Sequence, residues 1–96
     1  MRVTLSGDSE KDLLDIALEI ARDSPRPARS YIAEIRAACL SLAHHPERFP
    51  VVIDDPEPLR RIVHGSHLIF YAIRHDHIRI SRIIHSARLT DPSMFL

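Results

Sequence analysis

The chain has 96 residues, with 13 Lys+Arg, 13 Asp+Glu and 7 His, and its formal net charge is zero. That length holds one domain with a modest core, and 45% hydrophobic residues exclude a disordered chain. No apolar run approaches the ~20 residues of a membrane helix, and a zero net charge speaks against a uniformly basic nucleic-acid binder.

Met1 to Leu5 is too short and too soon polar for a secretory signal. A lone Cys39 cannot pair within the chain, which fits a reducing cytoplasm. Arg2-Val3-Thr4-Leu5 predicts a short edge strand. Ser6 or Asp8 can cap the helix that follows, and Asp8, Glu10 and Asp12 suit its positive end. Leu13, Ile16, Ala17, Ile20 and Ala21 then recur at helical spacing, so this helix is predicted over about residues 8–22. Leu14 and Leu18 widen its apolar stripe beyond what one sheet face needs.

Ser24-Pro25 marks a second helix, with Pro where no N–H is required. Ala28, Ile32, Ile35, Cys39 and Leu42 form its stripe, and Pro46 ends it near His44-His45. The short link between the helices predicts an antiparallel hairpin. Residues 46–58 hold Pro46, Pro50, Pro56 and Pro58 with Asp54, Asp55 and Glu57, a stiff acidic connector in which Val51-Val52-Ile53 is briefly extended. From Leu59 the period becomes two. Leu59–His64, His67–Arg74 and His77–His85 read as strands, with two-residue turns at Gly65-Ser66 and His75-Asp76. Ser86 to Leu96 shows no periodicity and reads as a loosely held tail.

Those turns imply a register. His64 faces His67 and Arg60 faces Tyr71, while Tyr71 faces Ile80 and Ile69 faces Arg82. One sheet face then carries Ile62, Ile69, Ile73, Ile78, Ile80 and Ile84, and is the face expected under the helices. The other carries Arg61, Val63, Leu68, Phe70, Ala72, Arg79, Ile83 and His85, half apolar and half cationic. The fold class is therefore α+β, an N-terminal helical hairpin packed on a small, mainly antiparallel sheet, with residues 1–96 as one domain.

Charge is divided along the chain. Residues 1–58 carry seven Lys+Arg against eleven Asp+Glu, a balance of −4, and residues 59–96 carry six Arg against two Asp, a balance of +4. Arg60, Arg61, Arg79, Arg82 and Arg88 can grip carboxylate or phosphate bidentately, or simply cover apolar neighbours with their stems. His64 with His67, or His75 with His77, lacks the carboxylate or thiolate that would complete a tetrahedral site, so no metal or other cofactor is expected. Attack by an RNA 2′-hydroxyl needs a base, an acid and cations. His85, Tyr71 and the arginines are the candidates, against a plainer reading of Arg60 and Tyr71 as a structural cross-strand pair. No catalytic set is assigned.

Taken in order, these pieces resemble the ParE branch of the RelE/ParE toxin superfamily over roughly residues 4–88. The resemblance lies in Ser6 through Asp12-Leu13-Leu14-Asp15-Ile16, Ser24-Pro25 with Ala28 and Tyr31, and Leu42-Ala43 with Pro46. It continues in Leu59-Arg60-Arg61, Gly65-Ser66-His67-Leu68-Ile69-Phe70-Tyr71 and Ile80-Ser81-Arg82-Ile83-Ile84-His85. It implies the toxin of a bacterial type II toxin–antitoxin module such as those that stabilise plasmids. A ParD-like antitoxin would neutralise it by wrapping helices and sheet, in a hetero-oligomer that binds DNA through the antitoxin. ParE-like toxins are associated with inhibition of DNA gyrase, whereas RelE-like relatives cut messenger RNA on the ribosome with a basic set on the sheet and an aromatic or histidine near the C-terminus. This chain has no Lys after Lys11 and no Tyr after Tyr71, Phe95 is no acid or base, and His85 alone matches.

The favoured expectation is thus a cytoplasmic toxin that acts by binding, with gyrase as target. Antitoxin contacts are expected on Leu14, Leu18, Ala21, Arg61 and Phe70. Target contacts or toxicity are expected from Arg79, His85, Arg88 and Phe95, with Met94 and Leu96 in the same tail. A RelE-type endoribonuclease and a non-toxic antitoxin-binding relic are the alternatives.

Overall fold

The computed structural model describes residues 1–90, with side chains to Arg88. The tail residues Met94, Phe95 and Leu96 lie outside the described residues. The chain runs β1 (Arg2–Leu5), α1 (Gly7–Ala21), α2 (Pro25–Ser41), a 3-10 turn (Pro46–Arg48), β2 (Val51–Ile53), β3 (Leu59–His64), β4 (His67–Ile73), β5 (His77–His85) and a second 3-10 turn (Ser86–Thr90). The strands form one sheet in the order β1-β5-β4-β3-β2. Only the β1–β5 pair is parallel, because the two helices carry the chain back across one face between them.

Local chemistry sets the helix ends. The Ser6 hydroxyl accepts from the Ser9 N–H at 3.0 Å and caps α1. Ser24 makes no side-chain cap bond, and Pro25 alone opens α2. The second helix stops at Ser41, earlier than the Pro46 rule predicts. Its last turn tightens, with Leu42 N–H bonded to the Cys39 carbonyl and Ala43 N–H to that of Leu40.

Leu13 and Ile16 of α1, and Ile35 and Cys39 of α2, meet Ile62, Ile69, Tyr71, Ile78, Ile80 and Ile83 in the main core. Apolar burial of this kind contributes about 25 cal/mol per Å² and supplies most of the driving force for folding. Burial also pushes the Cys39 thiol up to about 11. Ala17 and Ala21, read from spacing as part of the α1 core stripe, are only half-buried and line the gap between the helices.

The β3–β4 register follows the predicted turn, from His64↔His67 to Arg60↔Tyr71. Gly65 has φ +55° and no other described residue has positive φ, which suits a turn needing that conformation only at its first central position. The β4–β5 register departs from expectation. Tyr71 pairs with Ile80 but Phe70 with Arg82, leaving Ser81 as the extra residue of a bulge. Beyond it each side chain changes face. Ile69 therefore faces Ile83, not Arg82, and Ile83 joins the main core. Ile84 moves to the opposite face with Leu68 and Phe70, and His85 comes beside His67.

The bulge is held from β1 and α1. Ser6 N–H donates to the Ile80 carbonyl at 3.0 Å, and the Ser6 hydroxyl donates to the Ser81 carbonyl at 2.8 Å. Past Leu5 no strand among the described residues lies beside this edge of β5, so the edge needs other partners. Asp12 provides one: Oδ2 accepts from the Ile83 N–H at 2.9 Å and from Arg82 Nε at 2.8 Å, and Oδ1 accepts from Arg82 Nη2 at 3.0 Å. The bidentate bond to Asp12 raises the pKa of Arg82.

Candidate partner-binding groove and sheet face

The helical hairpin covers the sheet with one side and turns the other outward. Leu14 is 58% exposed and Leu18 61% exposed on that outer side. Between the helices runs an apolar groove whose floor is Ala17, Ala21, Ala28 and Ile32. The small residues let the helices close up, so a shallow channel remains instead of a filled seam. Leu14 and Leu18 stand along it, and Lys11, Arg29 and Arg36 border it. Arg36 is shared with Glu10 at 3.2 Å, a bond between exposed partners that a competing carboxylate can replace at little cost. Leu14, Leu18 and Ala21 are thus brought together in one strip. Spacing could place the two leucines off the core, but the channel needed the packed helix pair.

The second sheet face carries the other expected contacts. Arg61, Phe70 and Arg82 form one cross-strand row, and Ala72 and Arg79 another. Phe70 is 1% exposed and packs with Leu68, Ile84 and Ile53, so it supports this face from within. Val63, at 63%, is exposed on it. Arg61 and Arg79 are half-buried. The Arg61 Nε is buried with no hydrogen-bond partner among the described residues, an uncommon state for a donor.

Arg60 and Tyr71 lie on the helix side and hold the connector. Arg60 Nη1 donates to the carbonyls of Glu47 at 3.0 Å and Phe49 at 2.6 Å, and the Tyr71 hydroxyl donates to that of Pro46 at 2.6 Å. Tyr71 is fully buried, and burial raises the pKa of its phenol, the nearby Arg60 charge partly opposing this. His85, on the same side of the sheet, lies at the far end of the strands; its Nδ1 accepts from the Ala87 N–H at 3.1 Å, and its ring meets His67 edge to face at 5.3 Å. Arg88 is exposed in the second 3-10 turn. Tyr71 and His85 therefore do not converge with Arg61 and Arg79. Nor do the five arginines form one groove, since Arg60 is engaged with the connector and Arg82 with Asp12. Among the described residues no three His, Cys, Asp or Glu side chains are placed to hold a metal ion, and no helix is long and apolar enough to cross a membrane.

Sequence reasoning missed the Asp12 site and the Tyr31 contacts. The Tyr31 hydroxyl lies 2.6 Å from His67 Nδ1 and 3.1 Å from the His64 carbonyl. Asp12 breaks the apolar stripe of its helix like any solvated acid, so nothing local marks its partner 70 residues away.

A family model described as the ParE toxin of the type II toxin–antitoxin system parDE matches residues 3–90. Among solved structures, a chain of the chromosomal ParDE toxin–antitoxin system from P. aeruginosa is similar with a TM-score of 0.76 at 15% identity, covering 88% of this chain and 95% of that one. A chain of the RelBE2 toxin–antitoxin complex from Mycobacterium tuberculosis is similar with a TM-score of 0.65 at 18% identity, again covering 88% and 95%. No curated protein matches by sequence.

Proposed function

This chain belongs to the ParE toxin family of type II toxin–antitoxin systems, and from that premise we propose that it arrests growth by binding its target, DNA gyrase, in the cytoplasm. A ParD-like antitoxin neutralises it by laying an amphipathic segment along the interhelical groove. The observation that carries the antitoxin reading is the exposure of Leu14 and Leu18 beside the Ala17–Ala21 channel. Two large aliphatic side chains kept in water on a small domain are an apolar patch in need of a partner. The bordering Lys11, Arg29 and Arg36 suit an acidic partner segment. Arg61, half-buried on the second sheet face and cross-strand from Phe70, is assigned to the same partner.

The binding reading of toxicity is supported by how the candidate acid–base groups are used. Tyr71 is enclosed and bonded to a carbonyl, and His85 lies with His67 on the helix side. The second sheet face carries Arg61 and Arg79, and Arg79, His85, Arg88 and Phe95 are the residues assigned to the target. Ribosome-dependent messenger cleavage is the second reading, favoured by that same Arg61–Arg79 pair.

The groove is tested by titrating a ParD-like antitoxin against the L14A/L18A double variant. Affinity should fall at least tenfold, about 1.4 kcal/mol. Unchanged affinity removes the groove from the interface.

A further inference from the structure

We propose that Tyr31, His64, His67 and His85 form an acid-sensitive clasp that ties α2 to the β3–β4 turn at neutral pH and loosens on mild acidification. The cluster lies at the end of the sheet where β3 turns into β4. Tyr31 projects from α2 onto the turn, where its hydroxyl meets His67 Nδ1 at 2.6 Å and donates to the His64 carbonyl at 3.1 Å. The fit is close: a Cβ on Gly65 would come within 2.8 Å of the Tyr31 hydroxyl oxygen. The Tyr31 ring is 5.6 Å from that of His64 and 5.4 Å from that of His67, and His67 is 5.3 Å from His85.

His67 is 8% exposed, so a second proton on its ring puts a charge where little water reaches. The surrounding groups do little to balance it. From α2, Glu34 is taken up by His64 Nε2 at 3.1 Å. From β3 and β5, His64 and His85 become like charges when protonated. Arg88 follows beyond β5 as a permanent cation. From α1, exposed Glu19 opposes; Asp12 and Asp15 line the same pocket, Asp12 being taken up by Arg82. In line with this geometry, burial and the neighbouring His85 and His64 hold His67 below its ordinary value, and Glu19 offsets part of the effect. A histidine depressed in the folded state contributes stability above its unfolded pKa of about 6.5, and that stability is lost as pH falls below it. Because Ala28 and Ile32 of the same helix line the groove, the clasp also steadies one groove wall.

The test is an imidazole NMR titration of the intact protein, with denaturation at pH 7.5 and 5.5 for wild type, His67→Gln and Glu19→Gln. His67 should titrate below about 6.5, and the Gly65 and Ser66 amides should shift with the same midpoint. Wild type should lose stability at the lower pH, His67→Gln should lose distinctly less, and Glu19→Gln more. A His67 midpoint at or above 6.5, or turn amides that stay fixed through it, overturns the clasp. So does an unchanged pH dependence in His67→Gln. Should that variant fail to fold, the wild-type titration decides alone.

Discussion

Gly65 shows how one residue can meet two demands. Its φ of +55° disfavours any L side chain, and the Tyr31 hydroxyl oxygen lies where a Cβ would reach. Gly65→Ala should therefore cost more than either effect alone, about 1–3 kcal/mol in urea denaturation, with the Tyr31 ring displaced. Asp12 meets two demands of another kind, satisfying a backbone N–H at the open edge of β5 and orienting Arg82. Asp12→Ala leaves both donors unmatched and should cost about 1–3 kcal/mol. Amide exchange at Ile83 should accelerate with it; a protected Ile83 amide would mean another group bonds that edge.

Elements differ in how they use the same side chain. Leu42, at the end of α2, is 0% exposed, whereas Leu18 on α1 is 61% exposed. Leu42→Ala should cost about 2–5 kcal/mol through lost contacts and a residual cavity. Leu18→Ala should change stability by less than about 0.5 kcal/mol. Denaturation of the two variants side by side checks the contrast, and a large loss from Leu18→Ala would make the exposed leucine a fold element, no longer a partner contact. The β5 bulge acts at this scale too. One extra residue, Ser81, puts Ile83 in place of Ile84 in the main core and carries His85 from the face of Arg61 and Arg79 to that of His67.

For the molecule as a whole, one sheet covered by a helical hairpin leaves two surfaces of different character. The outer groove is apolar with cationic borders, and the second sheet face presents Arg61, Val63 and Arg79. The zero net charge conceals this, since the strands and tail carry the +4 that balances the −4 before them. If the toxin binds gyrase, induction should stall replication and raise a DNA-damage response before protein synthesis falls, and Arg79→Ala with Arg88→Ala should blunt that response. Prompt messenger cleavage on ribosomes with replication intact would establish the nuclease reading instead.

Periodicity and turn chemistry determined by themselves that two helices precede a hairpin-rich sheet, and where β3 turns into β4. Those signals depend on neighbours a few residues apart: the Leu13–Ile16 stripe, Pro25 at a helix start, glycine in a tight turn. The exposed leucines were legible for the same reason, as apolar width left over on one helix. Only the tertiary structure decided the register past Ser81, the pairing of Asp12 with Arg82, and the meeting of Tyr31 with His67. A bulge leaves no periodic mark when the two residues that trade faces beyond it are both isoleucine, as Ile83 and Ile84 are. Contacts between residues 36 and 70 positions apart arise only once the helices settle on the sheet. The bulge places His85 on the opposite face from Arg61 and Arg79, and so bears directly on whether this surface cuts or binds.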